Sequence, residues 1–289
     1  MKNLKLTFLA LFVCGIAQAQ ITLPQPSPAG SVYSRVGLTD VTIDYFRPKV
    51  KGRKIFGEGD QFLQPYGQLW RTGANSGTKL KLSTAAKISG QDVEAGEYLI
   101  LSTPGATEWT FFVYGDPSIG GNMAAFKEED VVVKATVKPT KLAQPVEALT
   151  FNISDISEDN TSANIHFTWS DVSYKVPIEV SFEESIMKEI ATKTQVNPVN
   201  YIQAANYYYN TGKDLKQALE WVNLYLAQGN NAQQFWNVHL KAQIQTKLGM
   251  KKEALATAQK SLDAAKASEQ GDFGYIARNE SLIAELKKK

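Results

Sequence analysis

Apolar and polar positions change their rhythm once along this chain, near residue 183, and that change divides it in two. Before it, apolar side chains fall on alternate residues in short runs. Val41, Ile43 and Tyr45 are separated by Thr42 and Asp44; Ile165, Phe167 and Trp169 are separated by His166 and Thr168. A period of two places such residues on one face of a strand. The runs at 41–47, 78–82, 97–103, 108–114, 131–137, 148–154, 163–169 and 174–182 predict strands. They recur at intervals of roughly ten residues with no helical period between them. That spacing predicts an antiparallel β-sandwich or jelly roll and disfavours a parallel α/β arrangement. Pro48 closes the first run, and Pro177 predicts that the last is an edge or carries a bulge.

After residue 183 the texture turns to alanine, glutamine and lysine with a spacing near 3.6, broken at Pro198 and at glycines. Helices are predicted at 199–209 and 215–226 around Gly212, and at 235–248 and 251–265 around Gly249. Gly249 followed by Glu253-Ala254-Leu255 resembles a tetratricopeptide step, in which glycine permits the tight turn and alanine lets two helices approach. Gly212 with Gln217-Ala218-Leu219 repeats it with one residue inserted. Two hairpins are fewer than the roughly three such arrays need, so helices at 183–193 and 273–286 are expected to complete the stack. The lysines at 287–289 put positive charge at a helix C-terminus, where the dipole favours it. The expected fold class is therefore α+β and multidomain: a sandwich at 20–182 and an all-α, tetratricopeptide-like domain at 183–289.

Residues 1–19 read as a secretory signal peptide: Lys2 and Lys5, an apolar run from Leu6 to Ala17, then Ala17-Gln18-Ala19 as the cleavage signal. The expectation is an exported protein, periplasmic or secreted, cut near Ala19. The single cysteine, Cys14, leaves with the leader, so no disulfide is expected in the mature chain. The loss of Lys2 and Lys5 takes the formal charge from +2 to zero, which is not a nucleic-acid binder's charge. No later run approaches the roughly 20 apolar residues of a membrane helix, so no transmembrane segment is expected in the mature chain.

Chemistry-bearing residues are densest between Asp44 and Asn75. Arg47-Pro48-Lys49-Val50-Lys51-Gly52-Arg53-Lys54-Ile55-Phe56-Gly57 is followed by Pro65-Tyr66-Gly67-Gln68-Leu69-Trp70-Arg71-Thr72-Gly73-Ala74-Asn75. These stretches fit R-P-x-x-K-G-R-x-I-F-G and P-Y-G-x-x-W-R-T-G-A-N, and the chain resembles the domain of unknown function 2911 family of bacterial exported proteins, over roughly the first two thirds of its mature length. The resemblance implies export and no particular activity.

Read as chemistry, the stretch is a local cationic patch. Arg47 stands against a rigid proline and Arg53 follows Gly52, which gives planar donors suited to carboxylate or phosphate on a constrained backbone. Arg71, Thr72 and Asn75 add a donor fork, a hydroxyl and an amide. Arg47, Lys51, Arg53, Tyr66, Trp70, Arg71 and Asn75 are the candidate site for an anionic or polar small ligand, with Tyr45, Tyr66 and Trp70 as apolar walls. Two internal alternatives stand beside this: Arg71 paired with Asp44 or another acid to hold the loop on the sheet, and Trp70 as core. Tyr98 reads as a corner tyrosine tied to a neighbouring loop.

Catalytic signatures are sparse. His166 and His239 are the only imidazoles and lie in different domains, no G-x-S-x-G elbow surrounds a serine, and neither H-E-x-x-H nor a cysteine pair is present. Glu128-Glu129-Asp130 lacks a calcium-loop spacing. No metal or cofactor is expected, and no catalytic residue is assigned. The function read from the sequence is a binding module, with the helical domain contacting a protein partner through the concave surface repeat stacks present. Two alternatives remain: a carboxylate-dependent hydrolase of cell-envelope material, and a structural or assembly protein whose signature folds the loop.

Overall fold

A computed structural model of the chain describes residues 23–194, 197 and 199–288; the leader read at 1–19 and the break at Pro198 lie outside them. Two compact units, Met1–Ser181 and Phe182–Lys289, divide between Ser181 and Phe182.

The first unit contains β1 (Ala29–Val36), β2 (Thr39–Phe46), β3 (Phe56–Gly57), β4 (Gln64–Pro65), β5 (Thr78–Leu82), β6 (Ala86–Ile88), β7 (Gln91–Val93), β8 (Gly96–Thr103), β9 (Trp109–Tyr114), β10 (Val131–Val137), β11 (Thr140–Ser154) and β12 (Ser162–Val180). One sheet runs β1-β2-β5-β8-β9-β10 and a second runs β11-β12-β6-β7; β3 and β4 form a short parallel pair. Pairing within the two larger sheets is antiparallel. Their inner faces meet in an aromatic core: Trp109 lies 5.4 Å from Tyr174 and 5.9 Å from Phe167, and Tyr45 meets Phe151 edge-on at 5.4 Å. The fold is a β-sandwich.

Three local departures from the expected pattern have physical causes. β1 is not among the predicted strands, yet all eight of its residues pair with β2. Its outer positions, Ser31, Tyr33 and Arg35, are exposed, so it carries too little apolar signal. The strands read at 163–169 and 174–182 are the two arms of β12, which doubles back about Ser170. Val180 N–H donates to the Thr161 carbonyl at 2.8 Å, Phe167 stacks on Tyr174 at 4.7 Å, and Ser170 takes φ 54°. Buried positions accordingly change parity, from Ala163, Ile165, Phe167 and Trp169 to Tyr174, Val176, Ile178 and Val180. Pro177 is not at an edge. Its arm pairs with β6 through Ile178↔Ile88, and just beyond that pair the Pro177 carbonyl accepts from Ser89 N–H.

Leu99, Ile100 and Leu101 of β8 are all fully buried because both faces of the strand are covered. Ile100 faces the sandwich core. Leu99 and Leu101 join Phe112 and Tyr114 in a second cluster, closed by Leu69, Ile119, Met123 and Phe126. Tyr98 makes the expected tie, its hydroxyl donating to the Glu94 carbonyl at 2.9 Å.

Six helices occur among the described residues of the second unit: α1 (Glu183–Lys193), α2 (Val199–Thr211), α3 (Leu215–Leu226), α4 (Phe235–Lys247), α5 (Lys251–Lys266) and α6 (Tyr275–Lys288). Asp214 caps α3, accepting from Lys216 N–H and Gln217 N–H. Gly212 and Gly249 take φ 68° and 75°, the left-handed geometry that ends α2 and α4. One core joins Ile202 and Ala205 of α2, Val222 and Tyr225 of α3, and Leu240 and Ile244 of α4. Another joins Ala242, Ala258, Leu262 and Ile283 across α4, α5 and α6. Ala218 and Ala254 are fully buried, as their small size at close helix approaches requires.

Candidate functional site

The signature arginines bind main chain. Arg47 follows β2; its Nε donates to the Leu149 carbonyl at 3.2 Å and its Nη2 to Thr150 Oγ1 at 3.0 Å. Arg53 curls onto its own loop, donating from Nε to the Val50 carbonyl at 3.1 Å and from Nη2 to the Lys49 carbonyl. Lys51 sits at φ 49°, its N–H donating to Glu147 Oε1 at 2.9 Å. With Val50 N–H bonded to the Glu147 carbonyl and Leu149 N–H to the Pro48 carbonyl, segment 47–53 is stitched along β11.

Arg71 works the same way elsewhere. Its Nη1 donates to the Asn75 and Gly121 carbonyls, each at 3.1 Å, pinning loop 71–77 to the segment before β10. Asn75 takes φ 52° and its Nδ2 donates to Gln25 Oε1 at 3.4 Å. The fit is close: a Cβ on Gly121 would fall 2.2 Å from the Asn75 carbonyl oxygen and 2.5 Å from Arg71 Nη1.

The Arg71–Asp44 pair, one of the alternatives, does not form. Asp44 accepts from Ser31 Oγ at 2.7 Å and Lys81 Nζ at 2.9 Å, contacts that hold its carboxyl below the usual range. Trp70 is core rather than an exposed wall. It is 4 % exposed, its Nε1 donates to the Gly73 carbonyl at 3.1 Å, and its ring stacks on Trp169 at 5.8 Å. Tyr66 is the more open aromatic, at 36 %. Five of the seven candidates therefore bond to different partners: Arg47, Lys51 and Arg53 to β11 or their own loop, Arg71 and Asn75 to Gln25, Gly121 and their own loop. A cleft of about 450 Å³ is lined by Gly30, Ser31, Asp44, Tyr45, Ser76 and Lys79, among others, and by none of the seven.

His166 points from the outer face of β12, its Nε2 2.8 Å from Ser173 Oγ. Burial and Lys175 push its pKa down, and Ser173 is itself buried. Among the described residues, no three histidine, cysteine, aspartate or glutamate side chains gather to hold a metal ion. Among them too, no helix is long and apolar enough to cross a membrane.

A larger concavity lies in the helical unit, a groove of about 830 Å³. α2 gives Asn206 and Asn210, α4 gives Trp236, His239 and Gln243, and α6 gives Tyr275, Arg278, Ser281 and Glu285. On each helix these recur at three- and four-residue steps, so one face of each turns to the groove. Trp236 is 40 % exposed. Arg278 lies over the Tyr275 ring at 4.7 Å, which leaves its in-plane donors free to point away from that ring. His239 is only 6 % exposed, and its buried side joins a chain: Nδ1 lies 2.7 Å from Asn279 Oδ1, Asn279 Nδ2 donates to Ser261 Oγ at 2.9 Å and to the Tyr275 carbonyl at 2.8 Å, and Ser261 Oγ donates to the Phe235 carbonyl at 2.7 Å. Burial, and secondarily Arg278, push the His239 pKa down against the raising effect of Asn279. The sequence does not show that the amides and His239 share a face, because their common signal is only helical spacing on three separate segments.

Fold and braces together define a class: a β-sandwich whose long loops are held by arginine-to-carbonyl bonds, followed by a helical unit with a polar groove. The family described as "Protein of unknown function (DUF2911)" matches residues 27–178, more than half of the chain, and the chain belongs to it. That match spans the sandwich and all seven signature candidates and ends before the helices. No curated protein and no solved structure matches the chain.

Proposed function

We propose that this chain is an exported binding protein in which the helical groove holds an extended, largely uncharged peptide segment of a partner, while the sandwich signature braces its own fold. One observation carries the reading: Asn210 and Gln243 line a single groove of about 830 Å³ with Trp236, beside Asn206, whose Nδ2 also donates to the Ile202 carbonyl at 2.9 Å. A carboxamide offers donors and an acceptor together, which matches the alternating N–H and C=O of an extended main chain. The lining includes one cation, Arg278, and one acid, Glu285, so it favours a ligand of low net charge. Trp236 supplies the apolar area that anchors such contacts. Panning a random-peptide display library on the purified mature chain tests this. The expected result is enriched sequences whose affinity falls about tenfold or more in Trp236→Ala. Enrichment indifferent to Trp236 would contradict it.

An anionic or polar small ligand on the sandwich is the second reading. It is favoured by the cleft beside Asp44 and Lys79, where Gly30 lies against the Arg47 stem. It predicts that phosphates, carboxylates or envelope sugars raise the melting temperature by mass action, and that Lys79→Ala, which removes the cation lining that cleft, abolishes the rise. A screen without any shift would remove it.

A further inference from the structure

The hydrogen-bond chain behind His239 fixes which of its nitrogens carries the proton. The Phe235 carbonyl can only accept, so Ser261 Oγ–H donates to it. Ser261 Oγ is then an acceptor for Asn279 Nδ2, which also donates to the Tyr275 carbonyl. Both Asn279 donors are thereby committed, and the oxygen it turns to His239 accepts from Nδ1–H. In the neutral ring Nε2 is left as a bare acceptor. Nε2 has no partner among the described residues, and it is not among the unpartnered atoms sealed from solvent. It opens on the groove His239 lines.

We propose that His239 Nε2 is the specificity-determining acceptor of the groove: it takes a hydrogen bond from a neutral donor on the bound segment, a hydroxyl, a carboxamide or a main-chain N–H, and disfavours a carboxylate there. This rests on the peptide-groove reading above. A carboxylate oxygen at that point would face a lone pair with no proton between them. A segment without a donor would leave a largely buried acceptor unpaired, a loss worth about tenfold in affinity. Protonation would invert the preference, since the imidazolium donates from both nitrogens. The titratable and charged groups sharing the lining are Tyr209 on α2 and Tyr275, Arg278 and Glu285 on α6, while α5 contributes only the neutral Ser261 to the chain behind the ring. Burial above all, with Arg278 adding to it, disfavours the imidazolium, so the acceptor form prevails at neutral pH. Binding is strongest above the depressed His239 pKa and weakens as pH falls through it.

Two measurements on the full mature chain test this. A long-range ¹H–¹⁵N correlation spectrum of the free protein at neutral pH should show His239 protonated at Nδ1 and bare at Nε2; the opposite tautomer overturns the proposal without any variant. The strongest peptide from the display library should bind about tenfold more weakly to His239→Phe, and should also weaken on the parent protein as pH falls through the depressed His239 pKa. Asn279→Asp places a carboxylate on Nδ1–H, and should raise the His239 pKa and weaken the same peptide at neutral pH. A groove-dependent peptide indifferent to pH and to both variants overturns the His239 assignment and leaves the groove standing. No Trp236-dependent peptide, or Trp236-dependent binding of neutral glycans on an array instead, overturns the peptide groove itself and this assignment with it.

Discussion

Arg71 meets two carbonyl oxygens with one nitrogen, and that contact reassigns what its neighbourhood does. A guanidinium bonded to main chain joins a loop to its support; charge-assisted bonds of this kind contribute about 1.5–3 kcal/mol. Arg71→Ala should lower unfolding free energy in urea by about that amount. Gly121→Ala tests the same joint from the other side: its Cβ would overlap the Asn75 carbonyl, so a loss of stability at least as large is expected. A null result for both would show that the brace is not one. Asp155 gives a pH test. Lys175, Ser154 and Asn164 hold its carboxyl down from 3.8 to about 2. Its contribution is present above about pH 3.8 and lost as pH falls through about 2, so Asp155→Asn should flatten the acid limb of a stability–pH curve in that window. The importance of Arg47, Arg53 and Arg71 was legible in the sequence; their partners were not. Leu149 lies 102 residues from Arg47, and Gly121 lies 50 from Arg71. A run of cations without acids reads as an anion site unless the carbonyls are in view.

At the level of elements, strands with both a buried and a wet face were the easiest to read. β5 and β10 have the predicted bounds because their apolar residues alternate and turns flank them. β6 and β7 are three residues each, too short for a period to show. The helices were legible as well, down to the glycines that end α2 and α4. Open space surrounds the position a Cβ would take on Gly249, so Gly249→Ala carries a conformational cost alone, about 1 kcal/mol by chemical denaturation. A much larger loss would mean that the turn is also packed.

For the molecule as a whole, the division of labour between the two units is the claim at stake. The family match covers the sandwich alone, and the sandwich's most specific residues bond to its own main chain. The groove belongs to the helical unit, built from side chains spread between Asn206 and Glu285, and three amphipathic helices do not announce which of their faces will meet. The most direct measurement is the affinity of one groove-selected peptide for two folded variants side by side, by calorimetry. Trp236→Ala should weaken it about tenfold or more while Arg71→Lys leaves it within about twofold. Binding that survives loss of Trp236 but fails in Arg71→Lys would contradict the account.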